Sequence, residues 1–81
     1  MYNIPQVTWI RKHDASVLTV GLFTYTTDGR FTALHSESSE DWTLRIASAQ
    51  IADSGTYECQ ISTEPKISKA FELQVVGKCM Y

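Results

Sequence analysis

Asp53-Ser54-Gly55-Thr56-Tyr57-Glu58-Cys59 is the stretch whose spacing decides the fold. Each residue type in it has a physical task. Gly55 allows a backbone conformation that a Cβ would disfavour, as a sharp corner needs. Tyr57 can bury its ring and return its hydroxyl to the backbone a few residues upstream. Cys59 stands two positions further on, so in an extended strand it shares a face with Tyr57. The reading is a strand that turns a tight corner and then lays one face on a core.

Asp-x-Gly-x-Tyr-x-Cys is the spacing that opens strand F of an immunoglobulin domain, where the tyrosine makes the tyrosine corner. Trp9 is then the natural strand C tryptophan. A complete variable-type domain needs about 100 residues; this chain has 81, and only eight precede Trp9. Strands A and B, with the first cysteine of the usual pair, do not fit in that space. The expected fold is all-β: an incomplete immunoglobulin variable-type sandwich with strands C, C′, C″, D, E, F and G. Residues 1–81 read as one partial domain, with a core over 7–76 and a tail over 77–81.

Composition narrows the function. Hydrophobic residues make up 43% and charged residues 20%, a globular balance. The net charge of −2 offers no case for nucleic acid or anionic membranes. No apolar run approaches the roughly 20 residues of a membrane span. Met1-Tyr2-Asn3-Ile4-Pro5 has neither the basic start nor the apolar stretch of a signal peptide. His13, His35, Cys59 and Cys79 lack zinc spacing. Ser54 has no matched histidine and there is no glycine-rich phosphate loop, so no catalytic residue, metal or cofactor is expected. Around a turn near Pro65, Cys59 should lie opposite about residue 70, leaving Cys79 about 30 Å further along. A bridge needs Cα atoms within about 7 Å, so Cys59 is expected as a free thiol facing the core.

Alternation places the other strands. In residues 7–13, Trp9 and Val7 face in while Thr8, Ile10 and Lys12 face out. Residues 17–20 read as C′ and 22–26 as C″, interrupted by Gly21, which marks a bend or bulge. Asp28-Gly29 signals a turn. Residues 30–34 read as D, 42–46 as E, 55–62 as F and 66–76 as G. Trp42, Leu44 and Ile46 share one side, and Phe71, Leu73 and Val75 form the apolar side of G. Arg30 and Asp53 have the positions of the charge pair that ties strand D to the turn before F; the alternative is two unrelated surface charges.

Several stretches together resemble one family. They are Trp9-Ile10-Arg11-Lys12, Leu18-Thr19-Val20-Gly21, Phe23-Thr24-Tyr25-Thr26, Asp41-Trp42-Thr43-Leu44, and Tyr57-Glu58-Cys59-Gln60-Ile61-Ser62-Thr63-Glu64-Pro65. They resemble the first immunoglobulin domain of the Dpr (defective proboscis extension response) proteins of insect neurons. The run from Glu58 to Thr63 is the most telling, because a general variable domain does not require it. The resemblance implies a cell-surface module that binds a second immunoglobulin family, the Dpr-interacting proteins, in neuronal partner choice. Family members carry a signal peptide, strands A and B, the first cysteine and usually a second immunoglobulin domain. Against that pattern the chain reads as truncated before strand C.

The expected site is therefore a protein-binding surface, the outward side of C, C′, C″, F and G. Ile10, Phe23, Tyr25, Gln60, Ser62 and Ile67 are its candidate residues. Aromatic anchors beside amide and hydroxyl groups suit protein recognition. For Phe23 and Leu22 packing inside is the alternative, since a bend at Gly21 leaves the strand parity open. Trp9, Arg30, Asp53, Gly55, Tyr57 and Cys59 are assigned structural roles. The competing reading is a fragment without function of its own, unstable or associating through open strand edges.

Overall fold

Short β-branched and aromatic runs, each cut off by a turn residue, become strands. The computed structural model describes residues 6–77. In chain order these are β1 (Val7–Arg11), β2 (Ser16–Val20), β3 (Phe23–Thr24), β4 (Phe31–His35), β5 (Trp42–Ile46), β6 (Gly55–Ile61) and β7 (Ile67–Leu73), with one turn of 3-10 helix at Ile51–Asp53. They form a five-stranded sheet in the order β3-β2-β1-β6-β7 and a two-stranded sheet, β4-β5. All pairings are antiparallel. This is the immunoglobulin variable-type sandwich, and the seven strands take the places of C, C′, C″, D, E, F and G.

The core lies between the sheets. Val7, Trp9, Leu18, Phe31, Tyr57 and Cys59 form its buried cluster, with Trp42, Leu44, Ile46, Ile61 and Leu73 packed against it. Phe31 and Leu18 are its most completely enclosed large side chains. Two guanidinium groups flank the Phe31 ring, Arg11 at 5.8 Å and Arg30 at 5.4 Å from its centroid. Such cations bind the negative face of the ring and close the core at its rim.

The corner before β6 follows its chemistry. Gly55 adopts φ 143°, which a side chain would strain. The buried Tyr57 hydroxyl donates to the Asp53 carbonyl at 2.6 Å. The Asp53 carboxylate, 6% exposed, receives two bonds from Arg30, at 2.6 and 3.0 Å, and one from the Gln50 amide at 2.8 Å. Arg30 also bonds both carboxylate oxygens of Asp28, at 3.1 and 2.9 Å. The Arg30 hydrogen bonds hold the Asp53 carboxyl down at about 2. The expected Arg30–Asp53 pair is thus present.

The middle strands differ from expectation. Only Phe23 and Thr24 pair with β2, where an extended strand over 22–26 was expected. Gly21, at φ 59°, turns the chain sharply, and a Cβ there would meet Gln6 Oε1 at 2.9 Å. The Tyr25 and Thr26 amides then both donate to the Leu18 carbonyl, at 2.9 and 3.2 Å, which draws the chain off the ladder. The β1–β2 register also slips: Trp9 pairs with Thr19, but Ile10 pairs with Val17. That bulge puts Leu18 and Thr19 inside together, each 0% exposed. Strand β7 ends at Leu73, and Val75 is tied instead to Ser54, whose hydroxyl accepts its amide at 2.9 Å.

Among the described residues the outer edge of β5 has no partner strand. Beside it a cavity of about 330 Å³ is lined by Trp9, Trp42, Leu44, Tyr57, Phe71 and Leu73, among others. Phe71 packs on Trp9, ring centroids 5.5 Å apart, yet stays half exposed. Trp9 Nε1 is buried there without a hydrogen-bond partner among the described residues.

Candidate protein-binding face

Directly paired residues of an antiparallel ladder share a face, so the register sorts every residue of the large sheet. Val7, Trp9 and Arg11 pair with Ile61, Cys59 and Tyr57, and these face the core side. The alternating positions face outward. One outward row runs Phe23, Val20, Thr8, Gln60, Ser68 across five strands. A second runs Val17, Ile10, Glu58, Ala70.

The face therefore has an apolar half and a polar half. On β2 and β3, Val17, Val20 and Phe23 share the outward side with Ile10 of β1, and Phe23 is 67% exposed. Leu22 and Tyr25 beside them are 61% and 65% exposed. On β1 and β6 the chemistry changes. Gln60 Nε2 donates to Glu58 Oε1 at 2.6 Å, and Glu58 Oε2 lies 3.6 Å from Lys12 Nζ. The Gln60 bond, reinforced by Lys12, lowers the Glu58 carboxyl below its ordinary value.

Five of the six candidate residues lie on or beside this face. Ile10, Phe23 and Gln60 are in its rows, so the open question of Phe23 parity resolves outward. Tyr25 projects just beyond β3. Ser62 follows the end of β6, and its hydroxyl accepts the Gln6 amide at 2.7 Å. That bond, with the Ser62 amide donating to the Gln6 carbonyl at 3.0 Å, links the start of β1 to the end of β6. Ile67 is a correction. It pairs with Ile61 across the β6–β7 turn, so it lies on the core side; the outward residues of β7 are Ser68, Ala70 and Glu72. Val17, Val20 and Glu58 belong to the face and were not among the candidates. The bulge at Leu18 hid the parity of β2, while Glu58 was legible from its two-residue offset to Gln60.

Trp9, Tyr57 and Cys59 lie in the buried cluster, and Arg30 and Asp53 pair at the corner. Cys59 is buried and, among the described residues, unbridged, and burial pushes its thiol up. The expectation for Cys79 lies outside the described residues. Among the described residues no three His, Cys, Asp or Glu side chains gather as a metal site would require. His35 instead stacks on Trp42, ring centroids 4.1 Å apart.

Residues 2–76 match the family described as the immunoglobulin V-set domain. The Zwei Ig domain protein zig-8 of Caenorhabditis elegans is 32% identical over 71 residues, covering 88% of this chain and 26% of that protein. Dpr2 Ig1-Ig2, solved in complex with DIP-Theta Ig1-Ig3, is 53% identical with a TM-score of 0.85, over 91% of this chain and 34% of that one. Dpr1 IG1, solved bound to DIP-eta IG1, is 49% identical with a TM-score of 0.86, over 93% of this chain and 71% of that one. The chain thus spans about a quarter of the curated relative and about a third of the two-domain Dpr2 structure. With its fold, its corner and these identities taken together, the chain belongs to the immunoglobulin V-set family, as a domain like the first immunoglobulin domain of the Dpr proteins.

Proposed function

We propose that this domain is a cell-surface recognition module that binds an immunoglobulin receptor of the DIP type, in the choice of partners between neurons. The binding surface in this reading is the outward face of β3-β2-β1-β6-β7. One observation carries it: partly exposed Ile10, Val17 and Val20 and a two-thirds exposed Phe23 share one outward face, set beside the Lys12–Glu58–Gln60 network. Exposed apolar surface rimmed by polar groups is what a protein interface requires. The solved complexes of Dpr1 and Dpr2 with DIP domains indicate the class of partner. Recognition by a surface, with no catalytic step, is the whole activity in this reading, exercised outside the cell.

The test is surface plasmon resonance of the chain against immobilised DIP-eta and DIP-Theta first immunoglobulin domains. Saturable binding that Phe23→Ala weakens supports the reading. Binding of neither domain at up to hundreds of micromolar refutes it.

A further inference from the structure

Gln60 sits in the middle of the outward face, between Thr8 of β1 and Ser68 of β7. Its side chain has two chemically different ends, and the ends face different ways. Glu58 stands two residues earlier on the same face, so strand alternation alone makes the pair neighbours. The 2.6 Å bond runs from Gln60 Nε2 to Glu58 Oε1. An ionised carboxylate only accepts hydrogen bonds, so the amide must turn its NH2 group toward Glu58. Gln60 Oε1 is left without a hydrogen-bond partner among the described residues. Lys12, 3.6 Å from the other carboxylate oxygen, offsets the Glu58 charge on the face.

We propose that Glu58 is the positioning residue of the binding face: it holds the Gln60 amide with its carbonyl oxygen free, so the face selects a partner that brings an N–H or O–H donor to that point. This rests on the proposed function. A partner presenting an acceptor there would desolvate two acceptors and pair neither, which is heavily penalised at a buried interface. Without Glu58, Gln60 could offer either end, and the selection would relax.

Two measurements on the full chain test it. The first needs no partner: the side-chain NH2 resonances of Gln60 in a nitrogen–proton correlation spectrum. Glu58→Ala should move them and Glu72→Ala, on β7, should not; Gln60 resonances indifferent to Glu58 overturn the proposal. The second is a double-mutant cycle with the DIP-eta and DIP-Theta first domains as probes. Glu58→Ala should weaken binding about 10-fold alone but less than about 2-fold when Gln60 is already Ala, because its effect passes through Gln60. Equal losses in both backgrounds overturn the proposal, since Glu58 would then act by itself. If the unmodified chain binds neither probe, the proposed function falls and takes partner selection with it. A failure confined to the spectrum or the cycle sinks only the role of Glu58.

Discussion

Tyr57→Phe removes one oxygen and leaves the ring in place. Tyr57 is 3% exposed and its hydroxyl donates to the Asp53 carbonyl at 2.6 Å, so water cannot replace the lost donor without opening the corner. A neutral hydrogen bond contributes about 1 kcal/mol net, and a buried carbonyl left unpaired adds about 1–2 kcal/mol. The expected loss is therefore about 2–3 kcal/mol, a large part of the ~5–15 kcal/mol total of a small domain. For a domain of this size it lowers the melting temperature by roughly 10 °C or more. Urea unfolding followed by tryptophan fluorescence reads the loss, since Trp9 lies in the same core cluster. Tyr25→Phe is the control, because Tyr25 is 65% exposed and surface changes stay within about 0.5 kcal/mol. A Tyr57→Phe loss below about 0.5 kcal/mol would show that the corner does not depend on this bond.

Three other outcomes are expected. Asp53 titrates near 2 in the fold through its Arg30 bonds and near 3.9 unfolded. Its contribution is thus complete above about pH 5 and is lost as pH falls toward 2; Asp53→Asn should flatten that part of the urea-midpoint profile, and an unchanged profile would refute the link. Tyr25→Ala or Gln60→Ala should weaken partner binding by ~1–3 kcal/mol if either is a hot spot, while Thr43→Ala on β5 leaves it intact; surface plasmon resonance showing the reverse would place the interface on the other sheet. Gly55→Ala meets no atom within 4 Å but must hold φ +143°, so it should cost about 1–3 kcal/mol by backbone strain alone, and a neutral effect on urea unfolding would contradict this.

Much of this was legible because short motifs and strict alternation describe local chemistry. The spacing of Asp53, Gly55, Tyr57 and Cys59 placed the corner, and the two-residue period placed Trp9, Ile10 and Gln60 on their correct faces. Alternation fails wherever an extra residue enters a ladder. The bulge at Leu18 hid Val17 and Val20; Ile67 is different, because it shares the parity of Phe71 and Leu73, so alternation along β7 itself puts it on the core side. Phe31 at the centre of the core was not singled out either, because its partners Leu18, Arg11 and Arg30 come together only when the two sheets close.

The pairing of β1 with β6 also sets a clock. It joins Val7 to Ile61 and Arg11 to Tyr57, closing a loop of about 50 residues at an entropic cost near 3.5 kcal/mol. The β6–β7 turn, from Ile61 to Ile67, closes for about 2 kcal/mol less. The hairpins β1–β2, β4–β5 and β6–β7 should therefore form early, and the β1–β6 seam of the large sheet late, as in other folds dominated by distant pairings. During synthesis at about 5–20 residues per second, β1 waits roughly 3–10 seconds for β6 to be made. For that interval Trp9 and Ile10 have only β2 beside them, so the edge of β1 that later meets β6 stays open to chaperones and neighbouring nascent chains, at the strand that later lies at the centre of the large sheet.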